Sequence, residues 1–174
     1  MADITEKGAV GKAAFQQELM FAIGEKNPYG KFFDGQSYLA AVSDQQVAIH
    51  NVTFEPGCRN HWHIHHATSG GGQLLICVGG RGWYQAWGEA PVLMTPGTVV
   101  NIPPEVKHWH GAAADSWFAH LAIEVDGEDT SNEWLEPVDE AAYAAVINNL
   151  VRSHVENPVA EIFFCRRIFL LVLR

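Results

Sequence analysis

Nine histidines stand in this sequence, and six of them fall into two groups: His61, His63, His65 and His66 in one, His108 and His110 in the other. Imidazole nitrogen binds borderline divalent metals such as Zn, Mn, Fe, Ni and Cu, and a neutral ring can be buried without an unpaired charge. A lone histidine is ordinarily a solvated surface group or a hydrogen-bonded core residue. Here the spacing argues for more, because side chains two apart on a strand share a face. His61, His63 and His65 are expected on one wall with Trp62 and Ile64 opposite, and His108 with His110 on a second with Trp109 opposite. His120 is expected on a third, sharing its face with Phe118, Ala122 and Glu124. Three strands would thus aim nitrogen ligands into one interior, at one divalent metal ion.

The elements that must carry these residues read as strands. From Ser37 onward the chain breaks into short β-prone runs, at residues 37–41, 47–54, 60–65, 73–78, 82–86, 92–94, 98–102, 108–112 and 117–125. The breaks have turn chemistry: Glu55-Pro56-Gly57, Gly79-Gly80, Thr95-Pro96-Gly97 and Pro103-Pro104. Many short strands without long helices between them imply an all-β sandwich or barrel. A loose stripe of Phe15, Leu19, Phe21 and Ile23 predicts a helix over residues 12–24, and Ala142, Tyr143, Val146 and Ile147 predict another over 139–149. The expected organisation is an N-terminal extension at 1–34, one barrel at 35–136, and a C-terminal helix with an apolar tail at 137–174.

At 174 residues, 48% hydrophobic and 18% charged, the chain has the composition of one globular domain. A net charge of -9 argues against nucleic acid or an anionic membrane surface as partner, since both require clustered Lys and Arg. Small molecules and proteins remain. Three cysteines at no metal-finger spacing read as reduced thiols, and the first residues lack a secretory pattern, so the cytoplasm is the expected location. The apolar tail at 162–173 is interrupted by Arg166-Arg167 and is shorter than the roughly 20 residues of a membrane span.

Two segments resemble a known family. Gly57, His63, His65, Gln73 and Gly80 are similar in order and spacing to the first motif of the cupins, and Gly97, Pro103 and His108 to the second. The resemblance covers roughly residues 35–125. It implies a double-stranded β-helix, a jelly-roll-like barrel, with His63, His65, Gln73 and His108 as metal ligands and His120 as a base beside the metal. Within the family, the runs around Phe54-Glu55-Pro56-Gly57, Lys107–Ala113 and His120–Ile123 resemble small bacterial cupins named after carboxymuconolactone decarboxylases, a group that includes manganese-dependent hydroxynitrile lyases. Mn is the metal this implies, with Fe, Zn or Ni as alternatives. Four departures stand out. Glu105 occupies a position where the motif has glycine, Ala112 one where it often has Asn, Gln73 replaces the usual Glu, and the link from His65 to Gln73 is lengthened by Ser69-Gly70-Gly71-Gly72.

Three histidines and a glutamine would leave a divalent ion its full charge, favouring a bound anion or an acidic bound water. A nearby histidine, with an ordinary pKa of about 6.5, suits proton removal from a substrate hydroxyl. His120 is the first candidate for that base, with His50 and Glu124 next by strand parity; His110 is expected to orient a ligand. The expected activity is that of a carbon–carbon lyase on a small organic substrate. A non-haem metal dioxygenase and a non-catalytic ligand-binding cupin are the alternatives, and a homo-oligomer is the expected assembly.

Overall fold

A computed structural model describes residues 11–146. In chain order the elements are α1 (Lys12–Glu18), β1 (Glu25–Lys26), a 3-10 turn (Gly30–Phe32), β2 (Phe33–Asp34), β3 (Ser37–Ser43), β4 (Ile49–Phe54), β5 (Arg59–Asn60), β6 (His63–His66), β7 (Ser69–Gly70), β8 (Gln73–Gly80), β9 (Gly82–Ala86), β10 (Val92–Met94), β11 (Val99–Ile102), β12 (His108–Ala112), β13 (Phe118–Glu124), β14 (Gly127–Glu128) and β15 (Ser131–Trp134). One sheet runs β1-β3-β4-β13-β8-β11. The other runs β10-β9-β12-β5-β2, with β6 joining β12 to β15. The pairs around the site, β12 with β6 and β13 with both β4 and β8, are antiparallel.

The two sheets face each other across a common core. Val52, Phe54, Leu75, Cys77 and Phe118 from the first sheet meet Tyr84, Met94 and Ala112 from the second. The period of two sorts each strand along its length, so that apolar groups fill one end and polar groups the other. On β8 the buried positions run Gln73, Leu75, Cys77, Gly79, and on β12, which is buried throughout, one face carries His108, His110 and Ala112. The register sets Glu124 opposite Gln73, Ala122 opposite Leu75, and His120 opposite Cys77. This gradient places a polar site at one mouth and a hydrocarbon plug beneath it.

The strands lie close to the runs expected from the sequence, but the first helix does not. It ends at Glu18, after which the side chain of Gln16 satisfies the extended backbone, accepting from Ile23 N–H at 2.7 Å and donating to the Phe21 carbonyl at 3.2 Å. Phe15, Leu19 and Ile23 still bury together, with Tyr38 and Trp117, so their apolar spacing reports a covered sheet face rather than a continuous helix. Gly24 has φ +82°, and a Cβ there would fall 2.1 Å from the Leu39 carbonyl oxygen.

Cys58 and Cys77 are buried and unpaired, and burial pushes their thiols up to about 12 and about 11. Beyond Val138 the chain forms a second compact unit. Its described part is helical over residues 140–146, with the Asp139 carboxylate accepting from the Ala141 N–H at the helix start. The end of that expected helix and the apolar tail lie outside the described residues. Among the described residues no helix is long and apolar enough to cross a membrane.

Candidate metal centre

The two histidine groups meet where β6 pairs with β12, His63 directly opposite His108. Their ring centroids are 4.1 Å apart, with His65 5.3 Å from His63 and 5.5 Å from His108. All three are buried. Nδ1 of His63 donates to the His61 carbonyl at 3.0 Å, and Nδ1 of His108 to the Val106 carbonyl at 2.8 Å. Nδ1 of His65 faces a carboxylate oxygen of Glu124 at 3.4 Å. Each ring thus has its Nδ1 occupied, which leaves the Nε2 lone pair to point elsewhere.

Gln73 enters from β8. Its amide nitrogen donates to the other oxygen of Glu124 at 2.8 Å. Nε2 of His65, Nε2 of His108 and Oε1 of Gln73 are then buried polar atoms with no hydrogen-bond partner. Leaving such a group unsatisfied costs about 1–3 kcal/mol. Three such atoms on β6, β12 and β8 are what a bound group would satisfy, and a neutral N/N/O donor set suits a borderline divalent metal. The residues fit such an ion.

His110 belongs to the same cluster: one nitrogen each from His63, His108 and His110 lie within 4.8 Å of one another. Its ring also meets His120, Nδ1 to Nε2 at 3.1 Å. His120 is fully buried between Phe54 and Phe118, below the mouth, and touches the site through His110. Burial holds His108 and His120 down at about 4, and holds His63 and His110 well below the ordinary histidine range, with neighbouring imidazoles adding to the effect. All four rings are neutral at neutral pH.

A cavity of about 330 Å³ opens onto these groups. Its polar wall includes His50, Asn60, Gln73, His110 and Glu124. Its apolar lining comes from Phe33, Leu39, Val52, Ala122 and Trp134. Burial alone would raise the Glu124 carboxyl, but the hydrogen bond and charge of His65 and the hydrogen bond from Gln73 outweigh it and hold the group below its ordinary value.

Two histidines of the first group sit apart from the cavity. The strand breaks at His61 and Trp62, whose N–H groups donate to the Phe32 and Glu136 carbonyls at 2.9 and 3.0 Å. The parity resets there, so His61 does not share the wall of His63 and instead stands 3.8 Å from Asp34. His66 is held between Glu105 and Glu133 at 2.7 and 2.9 Å.

The structure also supplies residues that the sequence did not single out. Trp134 stacks on His63 at 4.8 Å and on Phe32 at 4.6 Å. Asn60 bonds His110 from the neighbouring strand. Both reach the site by cross-strand pairing, which leaves no local spacing signal.

This double-sheet barrel with a histidine cluster at one mouth is that of a cupin, and the comparisons agree. No family model matches the chain. An (R)-mandelonitrile lyase of Granulicella tundricola is 43% identical over 97 residues, which is 56% of this chain and 71% of that protein. A cupin-like protein of Thermotoga maritima superposes with a TM-score of 0.64 at 35% identity, covering 73% of this chain and 96% of that one. The chain belongs to the cupin family.

Proposed function

We propose that this protein is a metal-dependent lyase that cleaves the carbon–carbon bond of a small cyanohydrin into a carbonyl compound and cyanide. The observation that carries the reading is the set of three buried, unpartnered neutral donor atoms on His65, His108 and Gln73, two of these residues lining a cavity that also has apolar lining. Similarity to a mandelonitrile lyase supplies the substrate class. On this reading His63, His65, Gln73 and His108 hold one divalent ion, manganese by family resemblance. The ion supplies Lewis-acid stabilisation of an anion.

The chain's own residues do the rest. Phe33, Leu39, Val52 and Trp134 take the hydrocarbon part of the substrate and exclude water from it. The His110–His120 pair, neutral and hydrogen-bonded, accepts the hydroxyl proton, His110 being the member at the cavity wall. His50 borders the same cavity as a second proton-transfer group. Glu124 has both oxygens committed to Gln73 and His65, and orients them.

The test is manganese-loaded protein with racemic mandelonitrile, followed for benzaldehyde and cyanide, with dissolved oxygen recorded in the same vessel. Both products should form faster than in a buffer control at constant oxygen. Oxygen consumption during turnover would replace the lyase by a dioxygenase, and tight binding of mandelonitrile without product would make the protein a ligand-binding cupin.

A further inference from the structure

Asn60, the last residue of β5, is 1% exposed and lies against His110. The backbone N–H of His110 is 2.9 Å from its Oδ1. A backbone N–H can only donate, so this contact decides which end of the amide is oxygen. The amide nitrogen at the other end can only donate too, and it faces the imidazole edge of His110, 3.0 Å from Nε2 and 3.4 Å from Nδ1. Nδ1 in turn lies 3.1 Å from Nε2 of His120.

A neutral imidazole has one N–H and one lone pair. The arrangement that satisfies these three contacts sends hydrogens one way, Asn60 amide to Nε2 of His110 and Nδ1–H of His110 to Nε2 of His120, and leaves the hydrogen of His120 on Nδ1, a buried atom without a hydrogen-bond partner. Reversing it would set two N–H groups against each other at Nε2 of His110. We infer that Asn60 is a positioning residue that fixes the tautomers of the His110–His120 pair and engages the Nε2 lone pair of His110, so that this ring is kept out of the metal's ligand set.

Two groupings share His63 and His108. By distance alone His110 would complete a three-nitrogen site. By satisfied hydrogen bonds it is excluded, whereas His65 and Gln73 have unpartnered donor atoms. A second consequence rests on the lyase reading: the acceptor presented to substrate is Nε2 of His110. When it takes a hydroxyl proton in exchange for its bond from Asn60, Nδ1–H can pass to Nε2 of His120. The pair then carries one positive charge, and the substrate oxygen one negative charge.

Long-range ¹H–¹⁵N spectra of histidine-labelled protein, metal-free and loaded with diamagnetic zinc, test this without an activity assay. His110 should display a protonated Nδ1 and an unprotonated Nε2 in both states, with no metal-bound shift at Nε2. Asn60→Asp keeps the size and places an acceptor where the donor stood, so Nε2 of His110 should become protonated. His110→Ala should keep one zinc per chain. A protonated Nε2 in the unaltered protein, a zinc-induced shift at His110, or an unchanged tautomer in a folded Asn60→Asp protein would overturn the inference. Because the unaltered protein decides the first two points, failure of the variant to fold does not remove the test. Absence of cyanide release alongside the expected spectra would instead remove only the lyase reading.

Discussion

The carboxylate of Glu124 is bonded on one side to the Gln73 amide at 2.8 Å and on the other faces Nδ1 of His65 at 3.4 Å. Its negative charge favours an N–H on each partner's near side, which leaves Gln73 Oε1 and His65 Nε2 available to the proposed metal ion. Glu124→Gln keeps the shape but loses the charge and one acceptor, so metal affinity should fall about 10- to 100-fold, the usual effect of losing a group that orients ligands. Competition against a chelator measures it; affinity within threefold of the unaltered protein would end this role. His63→Ala and His108→Ala should each abolish stoichiometric metal binding, and a full metal content in either folded variant would displace the ligand assignment.

The loop between His65 and Gln73 is the element on which the proposed fourth ligand depends. Gly70, Gly71 and Gly72 have φ of +62°, +76° and +88°, all in the left-handed region that favours glycine. They turn the chain so that Ser69–Gly70 pairs with Gly127–Glu128 and Gln73 enters β8 opposite Glu124. A Cβ on Gly72 would fall 2.3 Å from the Ile102 carbonyl oxygen. Gly72→Ala is therefore expected to destabilise the metal-free protein by about 1–3 kcal/mol, as strained positions do, and to weaken metal binding by shifting Gln73. Urea unfolding reads the first effect; an unchanged midpoint would mean that the loop is not held as described. Glu105 makes the opposite case. It adopts φ +67° with a side chain, at the position where the family motif has glycine, and its carboxylate is tied to His66 and to the Ala67 N–H.

At the scale of the molecule, burying four neutral imidazoles couples folding to protons. His63, His108, His110 and His120 have folded pKa values below the ordinary 6.5, two of them at about 4. Their contribution to stability is complete above pH 6.5, where neither state is protonated. It falls as acid protonates the unfolded chain preferentially, and is lost once pH drops through the folded values. Metal-free protein should therefore lose stability steadily between pH 6.5 and 4, by up to about 1.4 kcal/mol per pH unit for each ring. Urea midpoints across that range check this, and a flat profile would contradict the buried neutral cluster. Metal at a 100-fold excess over its Kd should add about 2.7 kcal/mol at neutral pH, reversed by a chelator.

Periodicity two makes the barrel legible in the sequence: the strands, the shared faces of His63 with His65 and of His108 with His110, and the inward side of His120 are all local consequences of extended backbone. The same rule failed at His61, because hydrogen bonds to Phe32 and Glu136 interrupt the strand there, and it overran at residues 19–24, where burial against a sheet mimics a helical stripe. Which imidazoles meet, how deep His120 lies, and that Asn60 and Trp134 belong to the site were decided by the pairing of distant strands. An alternating pattern specifies a face, whereas a site needs register between strands, and register is set by long-range backbone hydrogen bonds that no short window of residues contains.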